Sequence, residues 1–263
     1  MGIAEQDMVG TASGLALGGM IPFDSTYGVF LAGRTWDQIR TTVCYNNLNV
    51  KLAGAHAGIS VGPDGATHQA LEDVALMRVL PNMTVVVPCD AIETEKATLA
   101  LAEWAGPCYI RFDREPVPVI TDEKSPFEIG KANILREGKD VVLFANGAMV
   151  YEGLEAAKQL ATQGIELMVV NLHTVKPLDM RAIIDAACRT GRVITAEEHQ
   201  TAGGMGSAVA ECLSQHCPVP MCILGMQDCF GESGAPNELM DRYAFNADTI
   251  CQAAKRLIAK ENV

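Results

Sequence analysis

Short apolar runs alternate with amphipathic stretches along the whole chain, and this alternation limits the fold more than any other feature of its 263 residues. Val50 to Ala55, Met83 to Val87, Cys108 to Phe112, Val141 to Ala145, Glu166 to Val170 and Arg192 to Ala196 read as strands, as does a short buried run from Met20 to Thr26. Between them apolar residues recur at helical spacing. Met8, Val9, Ala12, Leu15 and Ala16 open the series, followed by Val29 to Tyr45, Leu71 to Val79 and Met149 to Thr162. The last helix puts Ile250, Ala253, Ala254, Leu257 and Ile258 on one face. Asp90 and Asp179 stand where N-caps are needed for two more helices. Strands alternating with helices imply an α/β fold whose mostly parallel sheets are covered on both faces. The pattern breaks between Asp113 and Phe127, where Pro116, Pro118 and Pro126 interrupt mixed charges. Two α/β domains are therefore expected, 1–124 and 125–263.

Composition removes several kinds of function. A formal charge of −12 with no basic stripe argues against a nucleic-acid partner. Nine scattered cysteines, an odd number, suit reduced thiols in a cytoplasmic protein better than a disulfide framework. Cys212, His216, Cys217 and Cys222 lie close in sequence but lack the paired C-x-x-C spacing of a structural zinc site. The chain opens on acidic residues rather than a basic region and apolar core, so no signal peptide is read. No apolar run approaches the ~20 residues needed to span a bilayer, and no membrane partner is expected.

The polar residues of the first domain are placed less innocently. Met1 to Ala4 reads as the end of a strand, which puts Glu5 where strand hands over to helix, at the edge where such sheets bind ligands. Glu5 and Asp7 also suit a first helical turn, where negative charge is favoured. Three more loops follow strands, carrying Tyr27 and Phe30, then His56, Asp64 and His68, then Arg111 and Arg114. Singly, each residue has a structural explanation: a turn at Asp64-Gly65, a core Phe30, a solvated Arg114. Together, two histidines, an aspartate, an arginine and a glutamate on one edge suit a phosphorylated, hydroxyl-rich substrate. In the second domain Gly203-Gly204-Met205-Gly206 precedes a helix without the G-x-G-x-x-G order, so close helix–strand packing is expected there rather than a phosphate loop. His173, His199 and His216 have no comparable company and are read as structural or exposed.

These motifs resemble a known family. Gly2-Ile3-Ala4-Glu5-Gln6 is similar to the opening of the pyrimidine-binding domain in thiamine-diphosphate enzymes of the transketolase type. His56 to Gln69, reading H-x-x-I-x-V-G-x-D-G-x-T-H-Q, resembles the transketolase donor-substrate loop. Phe23 to Phe30 resembles the stretch whose aromatics stack on the aminopyrimidine, and Thr174-Val175-Lys176-Pro177-Leu178-Asp179 a segment of the transketolase C-terminal domain. The resemblance covers essentially the whole chain. It implies a pyrimidine-binding domain lacking its first strands, followed by a smaller Rossmann-like C-terminal domain.

The resemblance also implies roles. Glu5 would hydrogen-bond N1′ of the thiamine diphosphate pyrimidine, a task for which the carboxyl must hold or share a proton. Phe30 would stack on that ring with Tyr27 beside it. His56, His68 and Asp64 would hold ketose hydroxyls and move protons, and Arg114 would clamp the sugar phosphate. The diphosphate and its Mg²⁺ would be held by an N-terminal subunit or domain, so a homodimer or heterotetramer with such a partner is implied. The implied activity is transfer of a two-carbon ketol unit between phosphorylated sugars in the pentose phosphate pathway. Three alternatives stand beside it. A 1-deoxy-D-xylulose-5-phosphate synthase-like component usually has Arg where this chain has His56. The β component of a 2-oxoacid dehydrogenase has a different loop. The third is a catalytically inactive fragment that acts as an interaction module.

Overall fold

The computed structural model describes residues 1–259, which form two five-stranded sheets flanked by helices. In chain order the first half runs α1 (Glu5–Leu17), β1 (Phe23–Tyr27), α2 (Trp36–Gln38), β2 (Lys51–Ala55), α3 (Asp73–Arg78), β3 (Thr84–Val86), α4 (Ala91–Glu103) and β4 (Cys108–Arg111). The second runs β5 (Asn133–Arg136), β6 (Val141–Ala145), α5 (Met149–Ala161), β7 (Leu167–Asn171), β8 (Thr174–Lys176), α6 (Met180–Thr190), β9 (Val193–Gln200), α7 (Met205–His216), β10 (Met221–Met226), α8 (Pro236–Arg242) and α9 (Ala247–Ala259).

The first sheet has the order β1-β2-β4-β3-β8 and the second β10-β9-β6-β7-β5. In each, four parallel strands end in one antiparallel edge strand, β8 on β3 and β5 on β7. The central strands are buried from end to end, which is why Val141–Ala145 and Leu167–Asn171 carry unbroken apolar runs. The two expected caps form. Asp90 accepts from Glu93 N at 2.8 Å, and from Ile120 N and Thr121 N at 2.8 and 2.6 Å, which also fastens the chain leaving the first half. Asp179 accepts from Ala182 N at 3.1 Å.

Several expectations fail locally, each for a physical reason. Met1–Ala4 forms no strand, and Glu5 is itself the first residue of α1. The run through β1 is not buried. Met20, Ile21 and Phe23 are exposed while Asp24 faces inward, because β1 is an edge strand with nothing packed over its outer side in this chain. The helix expected from Val29 to Tyr45 breaks into α2 between two wide π-helical turns, Phe30–Arg34 and Ile39–Cys44. Thr35 Oγ1 donates back to Leu31 O at the first break. β5 and β8 carry too few residues to announce themselves, and β10 (Met221–Met226) is only half-buried along most of its length.

β8 is the notable one. It comes after the proline-rich stretch, yet it pairs with β3 of the first sheet through Val85–Lys176 and Val86–Thr174. The largest apolar cluster likewise joins Val9, Leu52 and Tyr109 to Phe144, Val170 and Val193. The two halves share a core.

Candidate active site

The carboxyl ends of β1, β2 and β4 deliver the candidate residues to one edge, as parallel topology requires. Tyr27 ends β1, and His56 follows β2 directly. The Tyr27 ring meets His56 edge-on at 4.5 Å and His68 at 5.6 Å, with Phe30 6.0 Å away. Phe30 in turn meets His68 at 5.2 Å. The Tyr27 hydroxyl donates to Asp64 Oδ2 at 3.5 Å, and Arg114 pairs with Asp64 Oδ1 at 3.2 Å while also donating to Val61 O. His56 sits at φ +52°, the left-handed region that non-glycine residues seldom occupy, and its Nδ1 is buried without a partner. Such backbone strain is found where a side chain must point in one direction.

Glu5 joins this group through a residue that the sequence did not single out. Arg34 donates to Glu5 Oε2 at 2.8 Å and lies over the Phe30 ring at 4.6 Å. Its own Phe30–Arg34 spacing of one turn was the only available signal. Glu5 is 6% exposed. The α1 N-terminal backbone holds its carboxyl below the usual range, with Arg34 adding to this against the opposing effect of burial. In this chain the carboxylate is thus ionised, where the implied role wants a held or shared proton. Arg111 does not join the edge. It is buried in an ion pair with Asp73, 3.1 Å from Oδ2, and donates to the carbonyls of Ala70 and Glu198.

This geometry coincides with a match along both halves. Residues 1–119 match the transketolase pyrimidine binding domain and residues 130–250 the transketolase C-terminal domain. The chain belongs to the transketolase family. It is 44% identical over 262 residues to the 6-deoxy-6-sulfo-D-fructose transketolase subunit of Clostridium sp. (strain MSTE9), covering 100% of this chain and 81% of that one. It is 38% identical over 260 residues to an apulose-4-phosphate transketolase subunit of Phocaeicola vulgatus, covering 98% and 83%. A solved structure described as a split gene transketolase, inactive beta4 tetramer, superposes with TM-score 0.93 at 47% identity, covering 98% of this chain and 83% of that one. Transketolases depend on thiamine diphosphate, and the two-domain α/β architecture is theirs.

The residues present fit the aminopyrimidine end of that cofactor. The Arg34 guanidinium is a flat, N–H-donating group that lies on the Phe30 ring and donates to Glu5. A flat heteroaromatic ring could take the place of the guanidinium on Phe30, with a ring nitrogen facing the Glu5 carboxyl. The Arg34 side chain is 47% exposed, so solvent reaches the pair from one side. For metal the chain offers less: no group of three or more His, Cys, Asp or Glu side chains is placed to hold an ion among the described residues.

In the second half the glycine-rich turn packs closely, as expected. The Glu197 carboxylate accepts from Met205 N and Gly206 N, both at 2.8 Å, and so fills the N-terminus of α7. A Cβ on Gly206 would come within 2.7 Å of Thr195 Oγ1 and 2.8 Å of Ile223. The expectation of reduced thiols rather than a disulfide framework has one exception: Cys188 and Cys217, at the ends of α6 and α7, are paired as a disulfide with Cα atoms 6.4 Å apart, and the other seven cysteines are free. The pairing removes Cys217 from any metal set. The buried thiols are inert in character, and burial pushes that of Cys44 up to about 11. His173 and His199 are fully buried and His216 is exposed. No helix among the described residues is long and apolar enough to cross a membrane.

Proposed function

We propose that the chain is the C-terminal component of a transketolase, transferring a two-carbon ketol unit between phosphorylated sugars with thiamine diphosphate. One observation carries the reading. Glu5, Arg34, Phe30, His68, Tyr27, His56, Asp64 and Arg114 form an unbroken series of contacts at one sheet edge.

When bound, the cofactor supplies a carbanion at its thiazolium ring, and the protein's work is to place and protonate. Phe30 and Tyr27 give the aminopyrimidine its stacking wall. Once Arg34 has released it, Glu5 would donate its proton in a hydrogen bond to N1′, and losing that cation raises the Glu5 pKa toward the range in which a proton can be shared. His56 and His68 stand with their rings against Tyr27, placed to accept and return protons of ketose hydroxyls. Asp64 orients Arg114, whose fork suits a terminal phosphate. The His56 position favours this reading over a deoxyxylulose-phosphate synthase, which usually has Arg there.

The diphosphate and Mg²⁺ belong, in this reading, to an N-terminal partner. The surface supports one. Met1, Ile3, Leu15, Leu17, Met20, Ile21 and Phe23 are all exposed, so large apolar side chains crowd the first 23 residues. Exposed apolar side chains at this density favour a surface that a partner covers. The inactive tetramer of the similar solved protein accords with a chain that needs its partner.

The test is reconstitution. Mixed with a partner chain carrying the diphosphate-binding domain, the chain should transfer ketol from xylulose 5-phosphate to an aldose phosphate. Alone it should show neither activity nor micromolar binding of thiamine diphosphate with Mg²⁺ by calorimetry. A reconstituted complex that binds the cofactor yet transfers nothing leaves the chain as an assembly module.

A further inference from the structure

The loop bearing His56, Asp64 and His68 has a front and a back, and its back rests on the second half of the molecule. Its front carries the candidate substrate groups. Its back is built on three glycines with left-handed φ: Gly58 (+86°), Gly62 (+78°) and Gly65 (+74°). Each meets an atom of the second half where a side chain would begin. A Cβ on Gly58 would strike the Glu198 carboxylate. One on Gly62 would come within 2.9 Å of Pro236 Cγ, and one on Gly65 would strike Ser233 Oγ. Glycine is needed at all three positions for the turn and for the close approach together.

Polar contacts fix the same seam. Ser60 N donates to Glu198 Oε2 at 3.0 Å, and Gln69 Nε2 donates to Glu232 O at 3.0 Å. Beneath the loop, Arg111 donates to Glu198 O at 2.7 Å and to Ala70 O at 3.1 Å, pegging β9 to the loop's far end. Glu198 is 2% exposed, and burial raises its carboxyl pKa against the opposing pull of Arg111. Either protonation state leaves Oε2 able to accept from Ser60.

We propose that Glu198, with the Gly231–Pro236 segment beside it, is a positioning residue. It acts from the second domain to hold the His56–His68 loop in the conformation that receives the sugar. The second domain then contributes to sugar selection without touching the sugar. This deepens the ketol-transfer reading and rests on it for its catalytic consequence, while the holding itself stands on the contacts alone.

Two measurements separate the two ideas. Hydrogen–deuterium exchange of the chain by itself reads the holding directly. Glu198→Ala should speed exchange over residues 57–69 by about tenfold, and Glu198→Gln, which keeps an acceptor for Ser60 N, should stay close to wild type. In the reconstituted complex Glu198→Ala should raise the donor KM by about tenfold and leave thiamine diphosphate affinity unchanged. Glu198→Gln should restore most of the difference. A merely structural role would lower cofactor affinity and melting temperature together, without rescue by Gln. Should Glu198→Ala not fold, Ser233→Val offers an exposed alternative that presses on Gly65 and should raise donor KM in the same way. Unchanged loop exchange overturns the proposal, as does an unchanged donor KM in both variants. A wild-type complex that transfers no ketol while the exchange difference persists overturns the activity reading and leaves the holding role in place.

Discussion

The two sheets are built to one plan and finished differently. Each has four parallel strands and an antiparallel edge strand. In the first, the carboxyl edge ends in groups with unused capacity: the unpartnered Nδ1 of His56, its left-handed backbone, and the Glu5 carboxylate held by a solvent-exposed arginine. In the second, the helix N-terminus that could face an anion is already filled by Glu197, buried at 1% exposure. The lesson is that a helix N-terminus whose donors are filled from within has no capacity left for an anion, whereas His56 and Glu5 keep theirs.

Substitutions can break this contrast. The largest effect is expected at Glu5. In a complex with the diphosphate-binding partner, Glu5→Gln should slow ketol transfer by roughly 10²–10⁴-fold, the range for losing a general acid–base. Exchange of the bound cofactor's C2 proton, followed by NMR, should slow with it, while packing is nearly kept. Equal exchange in wild type and variant would return Glu5 to an ordinary first-turn carboxylate. His56→Ala comes next, with turnover of xylulose 5-phosphate down by about 10²-fold and cofactor affinity close to normal. Affinity falling in step with turnover would take His56 out of the sugar site.

At the filled N-terminus of α7 the effect should be on stability only. Glu197→Ala orphans two buried N–H groups of α7 and should cost about 2–4 kcal/mol in denaturant unfolding. Activity per folded molecule should persist, and a specific loss of ketol transfer would show that the second edge is functional after all. The smallest effect concerns Asp24, an inward carboxylate of β1 with neither oxygen partnered. Burial raises its pKa from the ordinary 3.8 to about 6. The folded state therefore binds the proton more tightly than the unfolded one, and stability falls as pH rises from about 4 to about 6 and stays lower above. Asp24→Asn should flatten that slope and stabilise the chain at neutral pH by about 1 kcal/mol, given partial solvent screening. A variant with the wild-type slope would assign the titration elsewhere.

The sequence made legible what depends on pattern. Val141–Ala145 is a strand because five consecutive apolar residues fit only a fully covered one, and Asp90 and Asp179 cap helices because their neighbours leave N–H groups to satisfy. His56, Asp64, His68, Tyr27, Phe30 and Arg114 converge because each ends or follows a strand of one sheet. What depends on pairing was hidden. Nothing local distinguishes Arg111, sunk in a pair with Asp73, from Arg114 on the surface three residues later. Arg34 reads as a solvated charge until Glu5 is beside it. Cys188 and Cys217 are joined across 29 residues by the packing of α6 on α7, which no spacing announces. The exposed side of β1 reads as buried because its residues are apolar and nothing local marks β1 as an edge strand.

The pairing of β8 with β3 bears on how the protein can be divided. A fragment ending at residue 124 would take away Thr174–Lys176 and strip β3 of its neighbour. The cut would leave a row of unpaired amides and carbonyls of the kind that templates aggregation. The same clasp works against hinge-like opening between the halves, because a swing wide enough to admit a ligand would have to unzip a ladder. Catalytic motion, where it occurs, is left to side chains such as Arg34 and to loops at the rim.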